Sequence, residues 1–247
     1  MTDSPALVRP DRRAELAAGL ARVRARIADA CAASGRDRAD VTMIAVTKTY
    51  PAADVVALAG LGVTDVGENR DQEAAPKAAE VAAAGAAPRW HFVGRLQRNK
   101  VKSVLRYADM VQSVDSVRLA STVAAAAAGR DRPLEVLVQV SIDGDPSRGG
   151  AVPSCADPDL GLGPVTEAVA AADGLRLSGL MAVAPLGWEP ERAFARLADL
   201  AAEVRATHPG ATVLSAGMSG DLEAAIGHGA THVRVGSALL GMRPTLR

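Results

Sequence analysis

The stretch LSAGMSGDLEAAIGHGATHVRVGSALLG, residues 214–241, contains two successive copies of one local pattern. In each copy a short apolar run leads through glycine and serine into a helical segment, which in the second copy is only Ser237–Gly241. A strand followed at once by a helix is the repeating unit of a parallel sheet covered by helices. The stretch therefore predicts a βα repeat at this end of the chain.

The same alternation continues back towards the N-terminus. Eight runs are predicted as strands: Val41–Val46, Thr64–Glu68, Trp90–Gly94, Met110–Val114, Glu135–Ile142, Arg176–Val183, Thr212–Ala216 and His232–Gly236. These runs alternate little between polar and apolar residues, which is typical of strands that are buried on both faces. Residues 11–34 precede them and have apolar residues at three- and four-residue spacing, so an additional helix is predicted there.

Eight βα units within 247 residues match the usual size of a (β/α)8 barrel. A doubly wound open sheet is the main alternative, but the first unit lacks the G-x-G-x-x-G turn of that fold. No linker rich in glycine and proline marks a second domain. The chain is therefore predicted to be an α/β protein, with a polar tail over residues 1–10 and a single TIM barrel with an extra N-terminal helix over residues 11–247.

Charge and cysteine content exclude several classes of function. The chain has 28 basic and 28 acidic residues, so no overall field attracts nucleic acid or a membrane surface, and neither partner is expected. The N-terminus lacks a secretory signal and no run approaches the ~18 apolar residues of a membrane span, so we expect a cytoplasmic protein. Cys31 and Cys155 lack metal-ligand spacing, so unpaired thiols and no metal site are predicted. A monomer is expected, since no apolar surface patch is evident.

Unusual residues follow the predicted strands, at the end of a barrel where ligands bind. Lys48 follows the first strand in the string AVTKTYP, where apolar walls could lower the pKa of its amine and suit it to a Schiff base. A solvated surface lysine is the alternative. His91 lies within the third strand and is expected to be a hydrogen-bonded core residue.

Two further segments stand out by composition. The run from Arg95 to Lys102 contains four basic residues and is expected to form a solvated helix face. Residues 143–163, DGDPSRGGAVPSCADPDLGLG, interrupt the fifth unit and are predicted to be a mobile loop over the barrel mouth.

The last two units predict a phosphate site. Ser215, Ser219 and the amides near Gly220 precede one helix, and Gly236 and Ser237 precede the next. Helix N-termini favour anions, and phosphate sites after strands seven and eight recur in this class of barrel. Ordinary helix capping by Ser219 and Ser237 is the alternative. The occurrence of the pair on adjacent strands favours the phosphate site.

An amine at a strand end, together with a phosphate site, predicts pyridoxal 5′-phosphate as the cofactor, because one group serves the aldehyde and the other the phosphate. Arg234 lies in the apolar string VRVG of the eighth strand, and a charged residue there requires a partner. If it donates to the pyridine nitrogen, that nitrogen stays unprotonated and the ring is a poorer electron sink. Such a site favours holding the cofactor over turnover.

The strings AVTKTYP, GENR, HFVGRLQRNK, GLMAVAP and LSAGMSGDLEAAIGHGATHVRVGSALLG together resemble the pyridoxal phosphate homeostasis protein family, whose members are similar to the N-terminal barrel of alanine racemase. The resemblance spans about residues 41–241. It implies a Schiff base on Lys48, phosphate held around Ser219, Gly236 and Ser237, and Arg234 near the pyridine nitrogen. It further implies that Asn69 and Met181 line the cofactor pocket.

The resemblance also implies a role in vitamin B6 and amino-acid homeostasis without established catalytic turnover, so no catalytic residue is assigned and apo-enzymes that use the cofactor are expected recipients. A single-domain racemase-like enzyme that uses the same cofactor is the alternative, although no counterpart of the tyrosine-bearing C-terminal domain of alanine racemase is expected. Tyr50 and Tyr107 are the tyrosines of this chain, and Tyr50 is expected to belong to the loop after Lys48. A Schiff-base aldolase without the cofactor is a third hypothesis.

The chain departs from the family pattern at two positions. Arg148, in the string PSRGG, occupies a place where the family commonly has lysine, so any role of that lysine would fall to an arginine here. Ala216 stands where a bulkier apolar residue is frequent. Neither position is the proposed Schiff-base lysine.

Overall fold

The computed structural model describes residues 10–241 and contains a closed barrel of parallel strands in the order β1 to β8. The strands are β1 Thr42–Val46, β2 Asp65–Glu68, β3 Arg89–Phe92, β4 Met110–Val114, β5 Leu134–Gln139, β6 Leu175–Met181, β7 Val213–Ser215 and β8 His232–Val235. The barrel closes because β1 pairs with both β2 and β8. The eight predicted strands and the TIM-barrel class are confirmed.

Helices separate the strands and surround the barrel. Within the described residues they are α1 Pro10–Ala33, α2 Ala52–Ala59, α3 Asp71–Ala83, α4 Val101–Val104, α5 Val117–Ala127, α6 Leu162–Ala170, α7 Pro190–Thr207, α8 Leu222–Gly227 and α9 Ser237–Leu240. None of the helices between residues 10 and 241 combines the length and apolar character needed to cross a bilayer. The predicted tail at residues 1–10 and the barrel end at 242–247 lie outside the described residues, except that Pro10 begins α1.

The extra N-terminal helix α1 closes the outer layer beside the first and last units. Its apolar stripe is buried, and Gly19 allows so close an approach that a Cβ there would lie 2.2 Å from the Leu239 carbonyl oxygen of α9. Arg26 donates to the Ser219 carbonyl oxygen at 2.9 Å and pairs with Glu223 of α8. The helix thus holds in place the two loops that were predicted to bind phosphate.

The side chains of the strands pack in two separate layers, one outside the barrel and one inside it. Outward-facing strand residues pack under the helices in large apolar clusters. Inside the barrel, Met110, Leu137 and Met181 form a small separate apolar cluster. Buried polar side chains, including His91 and Gln112, occupy the rest of the interior. Alternation along each strand produces this division, because successive side chains point to opposite faces.

Several predicted boundaries were wrong by one to three residues. The largest difference is in the fifth strand, predicted to reach Ile142, which ends at Gln139. The reason is that Val140 pairs with Ala151 of the following loop. The predicted loop over residues 143–163 contains a 3₁₀ turn at Pro146–Arg148 and a second bridge, and α6 already begins at Leu162.

The basic run also differs from its prediction. Only residues 101–104 of this region form an α-helix, preceded by a 3₁₀ turn at Arg98–Lys100. Arg95 and Arg98 are exposed and line a cleft of 630 Å³ between the loops that follow β3, β4 and β5. The arginines therefore belong to the loop side of the barrel mouth and not to a helix face.

Candidate functional site

Lys48 lies in the turn that follows β1, at the C-terminal end of the barrel. Its side chain is exposed, so of the two alternatives for Lys48 the structure has the solvated lysine, without apolar walls around the amine. The turn carries the residue past the strand end, with Thr49 in the left-handed region at a φ of 70°. Thr49 N–H donates to Glu73 of α3 at 3.1 Å, which holds the turn against the neighbouring unit.

The chain has four lysines, at positions 48, 77, 100 and 102. Lys77 is buried and its amine is already engaged, whereas Lys100 and Lys102 lie in and after the 3₁₀ turn that leads into α4. Lys48 is thus the lysine that directly follows a barrel strand. Of the four lysine amines, the amine of Lys48 is therefore the best placed to contact a ligand at the barrel mouth.

A buried ion pair supports the backbone just before Lys48. Lys77 Nζ lies 2.6 Å from Glu68 Oε1 and donates to the Thr47 carbonyl oxygen at 2.8 Å. The Thr47 hydroxyl donates to the same Glu68 oxygen at 2.7 Å. Sequence reasoning missed Lys77, because its spacing on α3 resembles that of an ordinary helix lysine.

The loops after β7 and β8 meet, as their sequence predicted. Ser219 Oγ accepts a hydrogen bond from the N–H of Ala238 at 3.3 Å, which joins the first turn of α9 to the β7 loop. Among residues 10–241 no acceptor is found for the backbone N–H groups of Ser219, Gly220, Gly236 and Ser237. A Cβ at Gly220 would meet open space, and one at Gly236 would lie 3.5 Å from the Val46 carbonyl oxygen, so the loops adjoin the end of β1.

Arg234 is buried inside the barrel with 5% of its surface exposed. Its Nη1 donates to Ser215 Oγ and its Nη2 to the Ala182 carbonyl oxygen, each at 2.8 Å. Burial lowers the pKa of Arg234 to about 10, partly offset by the charge of Asp221, so the guanidinium remains charged at neutral pH. An arginine has five N–H donors, so donors remain for a ligand at the mouth.

Ser215 has a different place from the one predicted. Its side chain is fully buried, and its hydroxyl donates to Gln112 Oε1 at 2.7 Å while accepting from Arg234. The hydroxyl therefore lies within the barrel interior. Gln112 was missed altogether, because a lone glutamine in a short apolar strand gives no local signal of a partner 103 residues away.

Asn69 directly follows β2, and Met181 is the last residue of β6, both at the mouth. Within the described residues Asn69 Oδ1 is a buried polar atom without a hydrogen-bond partner. The backbone of Asn69 is fixed by Gly94, where a Cβ would lie 2.2 Å from the Asn69 carbonyl oxygen. Met181 is 2% exposed and forms the upper part of the apolar cluster inside the barrel.

Both tyrosines are held by the protein scaffold. The Tyr50 hydroxyl donates to the Gly241 carbonyl oxygen at 2.6 Å, which ties the Lys48 turn to the end of α9. Tyr107 is half-buried and packs edge-on against Trp90, and burial together with Asp71 and Glu68 raises the pKa of its hydroxyl. Neither side chain is placed as an acid or base at the mouth.

The loop after β5 is held by its own charges. Arg148 pairs with Asp143 at 3.0 Å and donates to the Ala184 carbonyl oxygen of the next loop at 3.3 Å. Arg148 thereby connects the loops after β5 and β6.

Ala216 is fully buried and its N–H donates to the His232 carbonyl oxygen, so a small residue suffices there. Both cysteines are free thiols.

His91 is the core residue that was predicted. Its side chain is fully buried, with Nε2 2.8 Å from Asp65 Oδ1 and Nδ1 3.0 Å from Gln112 Nε2. Burial raises the pKa of Asp65, but the hydrogen bonds from His91 and Thr64 outweigh it and the net pKa is lowered. Asp65 is therefore ionised at neutral pH.

Acid is expected to destabilise the protein through His232, at the opposite end of the barrel. Burial lowers the pKa of His232 from its ordinary value of 6.5 to about 4. Below pH 6.5 His232 is protonated in the unfolded chain but stays neutral in the folded protein. The free energy of unfolding therefore falls as the pH falls towards 4. From the difference between the two pKa values, we expect the free energy of unfolding to fall by roughly 2 kcal/mol between pH 7 and pH 5.

Urea unfolding at both pH values measures this loss. His232→Asn should reduce the pH dependence, whereas His228→Asn, at the end of α8, should leave it unchanged. An equal pH dependence in wild type and His232→Asn would contradict the assignment to His232.

Comparisons with known proteins agree with the barrel fold. Residues 20–244 match the family model described as "Alanine racemase, N-terminal domain". A pyridoxal phosphate homeostasis protein of Mycobacterium leprae is 45% identical, with 94% of each chain covered. A crystal structure of an unknown protein from Bifidobacterium adolescentis has a TM-score of 0.85 at 32% identity, covering 94% of this chain and 97% of that chain.

A solved structure with the cofactor is also similar. PipY of Synechococcus elongatus, in the structure with PLP bound, has a TM-score of 0.74 at 30% identity and covers 92% of this chain and 100% of its own. The match to the family model and the identity to the mycobacterial relative each extend over most of the chain. The chain therefore belongs to the family of pyridoxal phosphate homeostasis proteins, which share the alanine racemase N-terminal barrel.

Proposed function

We propose that this protein binds pyridoxal 5′-phosphate reversibly as a Schiff base on Lys48 and so contributes to the balance of vitamin B6 and of amino acids in the cell. The observation that carries the proposal is the convergence of three elements at one end of the barrel. These are the Lys48 amine after β1, the uncommitted N–H groups after β7 and β8, and the buried guanidinium of Arg234.

The residues at the mouth fit this cofactor chemically. When bound, pyridoxal phosphate offers an aldehyde that an amine can capture reversibly and a ring that can withdraw electrons. The orphaned Oδ1 of Asn69 supports a polar ligand above β2, and the open space over Gly220 supports an anion beside the first turn of α9. The PLP-bound structure of PipY, which is 30% identical, supports the same ligand.

Each residue has a definite part in the proposal. Lys48 would hold the cofactor through its aldehyde carbon, and the aldehyde oxygen would leave as water. Ser219, Gly220, Gly236 and Ser237 hold the phosphate through backbone N–H groups and hydroxyls. Arg234 donates to the pyridine nitrogen and keeps it unprotonated, which disfavours carbanion chemistry. Asn69 and Met181 line the pocket, and Ser215 acts on Arg234 from within the barrel.

The proposal places the protein in cofactor delivery and assigns no turnover. An exposed amine at an open mouth allows release to apo-enzymes that need the cofactor, and we propose a cytoplasmic monomer as the working form. The positions of the tyrosines support the absence of turnover: Tyr50 is bonded to Gly241 and Tyr107 packs against Trp90, so neither supplies a second acid or base. The names of the relatives support the homeostatic role.

Replacing Lys48 is expected to abolish covalent binding. Purified protein incubated with pyridoxal phosphate should gain a visible absorption band, and borohydride should then trap the cofactor on one peptide, found by mass mapping. Lys48→Ala should lose both signals. Lys102→Ala removes an exposed lysine on α4 and is the matched control, which should retain both.

Two results would overturn the proposal. One is the trapping of the cofactor on Lys77, Lys100 or Lys102 in the wild-type protein, and the other is an unchanged band in Lys48→Ala. Rapid exchange of amino-acid enantiomers by the purified protein would instead establish a racemase. A protein that forms a Schiff base with a sugar phosphate but gains no colour with pyridoxal phosphate would be an aldolase.

A further inference from the structure

We propose that Gln112 and Ser215 are positioning residues that hold Arg234 towards the pyridine nitrogen through a one-directional chain of hydrogen bonds across the barrel. The proposal rests on the proposed function, because it assigns a purpose to the position of Arg234. In this proposal Gln112 and Ser215 do not contact the cofactor. Gln112 acts on Ser215, and Ser215 acts on Arg234.

The chain is continuous from β8 to β2. Arg234 Nη1 donates to Ser215 Oγ at 2.8 Å, and Ser215 Oγ donates to Gln112 Oε1 at 2.7 Å. Gln112 Nε2 lies 3.0 Å from His91 Nδ1, and His91 Nε2 lies 2.8 Å from Asp65 Oδ1. Five side chains from five different strands are thereby joined.

The three middle members of this chain are fully buried. Ser215, Gln112 and His91 are 0% exposed, and the two ends are 5% exposed at Arg234 and 7% at Asp65. A polar group at such a depth must find its partner within the protein, and an unpaired one is costly. Ser215 and His91 therefore depend on their neighbours in the chain, whereas Arg234 and Asp65 each have one further partner, the Ala182 carbonyl oxygen and the Thr64 hydroxyl.

Its two ends determine the direction of every bond. Arg234 can only donate, and the ionised carboxylate of Asp65 can only accept. Ser215 must then accept from Arg234 and give its single proton to Gln112. The Gln112 amide must present its oxygen to Ser215 and its NH₂ to His91, so His91 accepts at Nδ1 and carries its proton on Nε2.

Gln112 is the member whose loss reaches the cofactor site. Without its oxygen the Ser215 hydroxyl has no fixed acceptor, and its proton can rotate towards Arg234 and repel the guanidinium. Arg234 then keeps one anchor, the Ala182 carbonyl oxygen, in place of two. We expect the guanidinium to lose its fixed orientation towards the ring nitrogen.

The test compares Gln112→Leu, Ser215→Ala and the double variant with wild type. Ser113→Ala is the matched control, because Ser113 is the next residue of β4, is buried, and within the described residues its hydroxyl has no hydrogen-bond partner. Each single variant should release pyridoxal phosphate about tenfold faster, a factor that corresponds to about 1.4 kcal/mol. Each should also shift the pH dependence of the visible band.

Coupling distinguishes a chain from two separate structural effects. If Gln112 acts through Ser215, the double variant should release the cofactor no faster than either single variant. Multiplied effects in the double variant, or wild-type release in both single variants, would overturn the proposal. Should Gln112→Leu fold poorly, the smaller change Ser215→Ala still has to show faster release and a shifted band.

A second readout needs no cofactor. In ¹⁵N-labelled free protein, NMR should show His91 with its proton on Nε2 in wild type and Ser113→Ala, and a changed tautomer distribution in Gln112→Leu. The wrong tautomer in wild type would overturn the chain even if the cofactor binds. Conversely, if Lys48 does not bind the cofactor while His91 has the expected tautomer, the proposed function fails and the hydrogen-bond chain stands without its assigned purpose.

Discussion

Gly179→Ala is expected to destabilise the protein by about 4 kcal/mol, near the upper end of single substitutions. Gly179 lies in β6 with a φ of 150°, a region that residues with a side chain rarely adopt. A Cβ there would lie 1.9 Å from the Val213 carbonyl oxygen of β7, which pairs with it. Relief requires a movement of backbone against backbone, and β7 leads directly into the Ser219 loop.

The pairing of β5 with β6 explains why a glycine is needed at position 179. Leu177 pairs with Val136 and Gly179 with Leu137, so Ser178 is an extra residue and β6 contains a bulge. A bulge shifts the alternation of side chains by one position. In this strand it turns Met181 into the barrel interior, where it packs with Met110 and Leu137.

Thermal unfolding measures the effect, and a fall in Tm of roughly 10 °C is expected for a domain of this size. Gly163→Ala is the control: Gly163 lies in α6, and a Cβ there would meet nothing within 4 Å. This variant should be as stable as wild type or slightly more so, because alanine favours helix by up to about 1 kcal/mol over glycine. Equal Tm values for the two variants would contradict the close approach of β6 and β7.

The fold was largely predictable because its signals are local. Eight apolar runs separated by helical segments define a barrel, and boundary errors arose where tertiary pairing decided the outcome, as at Val140. The strand-end positions of Lys48 and of the two serine loops followed from the same pattern. A βα repeat places these residues at one end of the barrel whatever else the sequence contains.

The interior of the site was less predictable. Ser215 was assigned to the phosphate site because it precedes Ser219 in the chain, yet its side chain points inward to Gln112 and Arg234. Single-sequence patterns do not show which buried polar residues meet across a barrel. The exposure of Lys48 was left open between two alternatives for a similar reason, since the conformation of its turn depends on the contact of Thr49 with Glu73.

Lys77→Met is expected to destabilise the protein by about 3–5 kcal/mol, because it leaves a buried carboxylate without its cation. Glu68 is 0% exposed, and within the described residues its Oε2 has no hydrogen-bond partner. After the substitution only the Thr47 hydroxyl would remain on Oε1. Methionine occupies a volume similar to the lysine stem, so the loss would be electrostatic and not a cavity.

Urea unfolding measures this loss, and Lys102→Met on the exposed side of α4 is the matched control, which should change the free energy of unfolding by less than about 0.5 kcal/mol. The double variant Lys77→Met/Glu68→Gln should recover much of the loss, because the uncompensated charge is then gone. A Lys77→Met variant as stable as wild type would show that Glu68 does not need this cation.

The double variant also separates stability from function at the Lys48 turn. Lys77 donates to the Thr47 carbonyl oxygen as well as to Glu68, so it ties α3 to the residue just before Lys48. The double variant restores the charge balance but not this bond. We therefore expect it to unfold nearly as wild type does and yet to form the visible band with pyridoxal phosphate more weakly. If band formation recovers together with stability, Lys77 serves the charge of Glu68 alone, and the Lys48 turn is held by Thr49 and Glu73.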